Sequence, residues 1–168
     1  MGFVKRLILS LSLIAIPAVA GFAQAQCKAP YAPEKAFFTI CPSDALKAVK
    51  DPGDEFSTFV RNTDASKNDF VLVFVQATVL MSPEEDAQIM AIGFERKNST
   101  KFTTASGTIG LRLLYEHAEN GVREARIFYC FKGPKGQEVL VSFSVDADST
   151  SDIALADSIA KTVVIKSK

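Results

Sequence analysis

The chain has 168 residues with 19 basic and 19 acidic side chains. Reading residues 1–25 as an export signal removes Lys5 and Arg6 and leaves 143 residues (168 less 25), with 17 basic against 19 acidic groups. That length supports one domain with a real core, and a net charge near −2 (17 less 19) excludes a strong field for nucleic acid or an anionic membrane surface.

The first element is an address. Lys5 and Arg6 precede an apolar run from Leu7 to Ala20, and Ala23-Gln24-Ala25 supplies the small residues a signal peptidase reads. Cleavage is expected near Gln26, with release into the periplasm or beyond. The run is about 14 residues, short of the roughly 20 a bilayer requires, so no stable membrane insertion is expected after cleavage. Residues 26–35, with Pro30 and Pro33, read as an irregular lead-in, and residues 36–168 as a single domain.

Ala36 to Cys41 reads as a short strand stopped by Pro42, and Ser43-Asp44 as the cap of a brief helix through Val49. Asp51-Pro52-Gly53-Asp54 turns the chain. Glu55 to Arg61 alternates as a strand half in and half out, and Asn62 to Asn68 is a polar loop. Phe70 to Leu80 is nearly continuous β-branched and aromatic residues, as expected of a central strand covered on both faces. Ser82-Pro83-Glu84-Glu85 then starts a helix, with a hydroxyl cap, Pro at the first position and Glu three residues after the cap. Ile89, Met90, Ile92 and Phe94 carry its spacing to about Arg96.

From Phe102 the chain reads as a meander. Leu111, Leu113 and Tyr115 share one face of a strand, Arg112 and Glu116 the other. Asn120-Gly121 is a two-residue hairpin signal, and Gly133-Pro134-Lys135-Gly136 marks a second reversal before the alternating Val139, Val141, Phe143 and Val145. Ser149 to Asp152 offers caps for a last helix bearing Ile153, Ala156, Ile159, Ala160 and Val163. The order predicts an α+β fold, an antiparallel sheet with two main helices packed on it.

This arrangement resembles the PsbP-like family, which includes the photosystem II oxygen-evolving extrinsic subunit and the DcrB-type envelope proteins. Phe38-Thr39-Ile40-Cys41-Pro42 is similar to its opening strand, and Glu85 to Phe94 to its mid-chain helix. Arg126 to Phe131, Gly133 to Gly136 and Val139 to Phe143 match its last hairpin, and Asp152 to Val163 its closing helix. The resemblance implies a binding or assembly factor, and it carries no shared catalytic residue.

Few residues suggest chemistry. The only histidine is His117. If the Asn120-Gly121 hairpin pairs Glu119 with Val122, then His117 faces Glu124 and Cys130 faces Leu111. Six residues at ~3.3 Å separate those levels by roughly 20 Å, so no Cys–His dyad forms. Cys130 is expected opposite Val139 across the second hairpin, on the face of Leu113, Phe128 and Val141, as a buried inert thiol. Glu84, Glu85 and Asp86 suit the first turn of a helix better than acid–base work. Asp146, Asp148 and Asp152 are spaced like part of a calcium loop, but Ser151 and Asp157 stand where Gly and Glu are needed. Asn98-Ser99-Thr100 is a glycosylation sequon expected on a loop.

With three cysteines in an oxidising compartment, one pair and one leftover are expected. Cys27 and Cys41, close in sequence and outside the central strands, form the favoured bridge, contributing on the order of 3 kcal/mol. No catalytic residue, cofactor or metal site is assigned. The leading expectation is a non-enzymatic binding or assembly module of the bacterial cell envelope whose partner is another envelope protein, with no nucleic acid. The alternative is a small-molecule or lipid carrier with a pocket between sheet and helix.

Overall fold

Strands β1 (Phe38–Thr39), β2 (Lys47–Val49), β3 (Phe56–Val60) and β4 (Phe70–Ala77) precede helix α1 (Pro83–Met90). Strands β5 (Glu95–Thr103), β6 (Ile109–Glu119), β7 (Val122–Lys132) and β8 (Glu138–Asp146) follow, then helix α2 (Thr150–Ala160) and strand β9 (Val164–Ile165). The computed structural model describes residues 30–32, 36–49, 56–61, 70–77 and 82–166. The expected export signal, Cys27, the turn at Asp51–Asp54, the loop of Asn62–Asn68 and the last residues of the expected Phe70–Leu80 strand lie outside those described.

One antiparallel sheet runs β2-β3-β4-β8-β7-β6-β5, and β1 pairs with β9 in a separate two-stranded piece. The β6–β7 register is the one the Asn120-Gly121 hairpin predicts: Glu119 opposite Val122, His117 opposite Glu124, Leu111 opposite Cys130. Both turn residues have positive φ, 51° and 80°, which is the twist a tight two-residue reversal demands.

The second reversal corrects the expected register by one residue. Cys130 pairs with Leu140, and Val139 with Phe131. Five residues, 133–137, separate the paired Lys132 and Glu138, and they turn through Lys135 and Gly136, at φ 56° and 76°. A shift of one residue moves every side chain of a strand to the other face. Leu140 therefore joins Leu113, Phe128 and Cys130, while Val141 lies on the opposite side with Val139 and Phe143.

A helix covers each face. α2 brings Ala156, Ile159 and Ala160 onto Ile127, Tyr129, Phe131, Val139, Val141, Phe143 and Val145. α1 brings Ala87 and Ala91 onto Leu113, Tyr115, Phe128, Cys130 and Leu140. This double cover explains why Ile127 to Phe131 are five consecutive buried residues. Beneath α2 the rings meet edge to face: Tyr129 with Phe143 at 5.6 Å between centroids, and Phe102 with Tyr129 at 4.7 Å. Such pairs contribute about 0.5–1.5 kcal/mol each beyond area burial.

Several expected boundaries change. The helix expected from Ser43 to Val49 is one turn, closed by the Leu46 N–H donating to the Ser43 carbonyl at 2.9 Å, after which Lys47–Val49 pair with Thr58–Val60. Sheet pairing overrides a marginal helix of this length. In β3, Phe59 and Val60 are both buried, so that end of the strand is covered on both sides rather than half exposed. The helix expected to reach Arg96 stops at Met90, because Gly93 at φ 88° reverses the chain into β5. Asn98 thus lies in a strand, at a register shift between Arg96 and Asn98, and not on a loop. β5 exposes every residue from Glu95 to Lys101, and its charged, irregular edge resists adding a foreign strand.

The ends of the described chain are fastened together. Tyr31 pairs with Ile40, the Cys41 N–H donates to Thr162 Oγ1 at 2.8 Å, and the Lys166 N–H donates to the Phe37 carbonyl at 2.7 Å.

Candidate interaction surface

Ser82 and Glu85 set the start of α1 by satisfying each other. The Glu85 N–H donates to Ser82 Oγ at 3.3 Å, and Glu85 Oε2 accepts from the Ser82 N–H at 2.7 Å and its hydroxyl at 3.0 Å. The Ser82 backbone N–H, then its hydroxyl, hold the Glu85 carboxyl below the usual carboxylate range. Glu84, Glu85 and Asp86 all occupy the first turn, where the free amides and the dipole favour negative charge. The sequence reading of these three as a helix start holds.

The far end of α1 carries no basic residue of its own, and the sheet supplies one. Arg126 of β7 donates from Nη1 to the Met90 carbonyl, lays its guanidinium over the Phe94 ring at 4.2 Å, and donates from Nε to Glu124 Oε1 at 3.3 Å. A cation at the last carbonyls satisfies acceptors that the helix leaves open. The inner side of α1 is small, with Ala87 and Ala91 buried, so the helix sits close on the sheet. Capped, clamped and closely seated, α1 is a rigid platform.

Its outer side is the unexpected part. Ile89 is 52% exposed and Ile92 78% exposed. With Glu85 and Gln88 they line an open concavity of about 400 Å³. Glu85, Gln88 and Ile89 share one side of α1, at the i, i+3, i+4 spacing, and Ile92 joins them from the turn just past the helix end. The sequence reading treated Ile89 and Ile92 as part of the packed spacing. Their neighbours Ala87 and Ala91 bury instead.

The other singled-out residues do not converge. His117 Nε2 lies 3.4 Å from Glu119 Oε2, and its ring rests 5.3 Å from that of Phe94. Cys130 is buried six rungs along the ladder. Burial, followed by the charges of Glu84, Glu138 and Asp86, pushes its thiol up to about 12, which leaves almost no thiolate at neutral pH. The three aspartates of the calcium-like spacing have separate partners: Asp152 pairs with Arg61, Asp148 with Arg123 Nη1 at 2.5 Å, and Asp146 Oδ1 accepts from the Asp148 N–H at 2.9 Å. Ser149 caps α2, accepting from the Asp152 N–H at 3.3 Å.

One network escaped the sequence reading. Arg112 Nε donates to Asp157 Oδ1 at 2.9 Å, and the buried Tyr129 hydroxyl donates to the same oxygen. It ties β6 and β7 to α2. Burial, then the hydrogen bond to Asp157 and its charge, drives the Tyr129 hydroxyl far above its usual range. Burial opposes the Arg112 charge, but Tyr129 and Asp157 outweigh it and hold the guanidinium above its ordinary value. The clue in the sequence was Arg112 alternating against the apolar face of its strand.

An antiparallel sheet with one helix on each face and the closing helix after the last hairpin defines a PsbP-like α+β sandwich. Among solved structures, the cyanobacterial PsbP of Synechocystis sp. PCC 6803 shares it at TM-score 0.56 and 14% identity, over 82% of this chain and 91% of that one. LpqN of Mycobacterium tuberculosis, described as involved in cell envelope biogenesis, matches at TM-score 0.55 and 14% identity, over 77% and 83%. A Bacteroides thetaiotaomicron structure matches at TM-score 0.50 and 9% identity over 79% of this chain, which spans only 46% of that one. No family model and no curated protein matches the sequence. Among the described residues no helix is long and apolar enough to cross a membrane.

Proposed function

We propose that this chain is an exported, non-enzymatic binding or assembly module of the bacterial cell envelope, and that it holds another envelope protein on the outer stripe of α1. The observation that carries the reading is the exposure of Ile89 and Ile92, 52% and 78%, on and just past a helix held at both ends. Covering what they expose would contribute about 2–4 kcal/mol by apolar area, enough to centre a contact. An apolar pair beside acidic groups, with no nucleophile–base pair near it, suits binding rather than turnover. The envelope setting is supported by the signal-like residues 1–25 and by the fold shared with LpqN.

The same reading takes residues 1–25 as a cleaved signal, 26–35 as the lead-in and 36–168 as one domain. It also pairs Cys27 with Cys41. Cys130 lies buried under α1, whereas Cys27 and Cys41 are close in sequence and outside the central strands. A carrier pocket between sheet and helix finds less support, because Phe102, Tyr129, Phe131 and Phe143 fill the space beneath α2.

The test is a crosslinked capture from envelope extract with the wild-type protein and with Ile89→Ser/Ile92→Ser. A discrete partner recovered by the wild type and lost with the variant is expected. Recovery of nothing, or equal recovery by both, overturns the proposal.

A further inference from the structure

Carboxylates gather at the start of α1. Glu84, Glu85 and Asp86 stand at its start, and among the described residues none of them has an arginine or lysine in an ion pair. Glu138, at the beginning of β8, adds a fourth carboxylate to the same end, and its Oε2 is buried without a hydrogen-bond partner. Burial raises the Glu138 carboxyl; Lys132, its partner across the ladder, opposes this, and the charges of Glu84 and Asp86 add to the rise. At the other end, Glu95 is matched by Lys97 at 2.6 Å. The excess negative charge is therefore local to the first turn, on the segment that exposes Ile89 and Ile92.

Resting on the binding-module reading above, we infer that the occupant of this face is a basic amphipathic helical segment of a partner protein, its apolar residues laid on Ile89 and Ile92 and its lysines or arginines set toward Glu84 and Asp86. An anionic membrane surface fits worse, because the carboxylates that would attract a basic peptide repel acidic headgroups. A helical partner segment carries its apolar anchors at i, i+3 or i+4 spacing, so adjacent anchors can reach Ile89 and Ile92 in the one concavity they line.

The test uses the processed protein, labelled for backbone amide detection, with three probes. They are an amphipathic peptide of leucine and lysine, a peptide with identical leucines and glutamate in place of lysine, and phosphatidylglycerol vesicles. The leucine–lysine peptide is expected to shift the amides of Glu84 to Ile92 first. Its affinity should fall about tenfold with Glu84→Gln/Asp86→Asn, a change of two solvent-side charges, and by more with Ile89→Ser/Ile92→Ser. Equal binding of the glutamate peptide, shifts centred elsewhere, or vesicles moving the same amides would overturn the inference. If the lysine peptide fails while the envelope capture succeeds through Ile89 and Ile92, the binding reading stands and the basic segment is wrong.

Discussion

At the scale of single residues, the informative side chains are buried ones that resist reaction. Cys130 should not react with a thiol reagent at pH 8 in the folded protein and should react fully once unfolded; rapid labelling of the native state would contradict its place beneath α1. Its folded value of about 12 lies above the ordinary 9.0, so the unfolded chain loses the proton first as pH rises. Stability is thus whole below pH 9 and declines toward pH 12, by up to about 1.4 kcal/mol per pH unit for one proton. Tyr129, also raised, steepens that decline above pH 10. Denaturant titrations of Cys130→Ala across this range should show a shallower slope than the wild type. Tyr129→Phe removes one hydroxyl donor and should cost about 1–2 kcal/mol, whereas Asp157→Ala leaves both Tyr129 and Arg112 without their acceptor and should cost more. Equal costs would mean that Asp157 is not the hub of the three.

At the scale of elements, α1 depends on its cap. Ser82→Ala should cost about 1 kcal/mol and raise amide exchange in the first turn of α1 while α2 is unchanged. The lowered Glu85 carboxyl has the opposite pH sense to Cys130: its contribution is present above the ordinary 4.5 and is lost as pH falls through its lower folded value. Amide exchange of α1 should therefore quicken on acidification before that of the sheet does. Local chemistry explains which elements were legible in the sequence. Ser82-Pro83-x-Glu85 and Asn120-Gly121 each specify their own geometry, and both held to the residue. The reversal at residues 133–137 did not, since nothing in Gly-Pro-Lys-Gly states whether four or five residues are spent, and one residue moved Val141 to the other face. β2 and β9 are pairs and triplets of residues that become strands only because a distant partner is there. The exposed pair was hidden for a related reason: residues 87–92 carry both Ala87 and Ala91 and Ile89 and Ile92, and only the sheet decides which pair is buried.

At the scale of the molecule, the sheet is roofed on both faces, yet the two roofs differ. α2 seats Ala156, Ile159 and Ala160 on a floor of stacked sheet aromatics and is tied by Asp152 and Asp157 to Arg61 and Arg112. α1 rests on alanines, is held by Arg126, and turns Ile89 outward, with Ile92 exposed just past its end. One helix completes the core and the other displays a surface. Substituting Ile89→Ser/Ile92→Ser should consequently leave the melting temperature within about 2 °C of the wild type, since exposed side chains away from caps and core contribute little to stability. The most direct test of the displayed surface is photo-crosslinking in intact cells, with the photoreactive residue placed at Gln88 and, separately, at Lys101 on the charged edge of β5. A single adduct from Gln88, absent with Ile92→Asp and absent from Lys101, is the predicted result. No adduct from Gln88, or the same adduct from both positions, would contradict it.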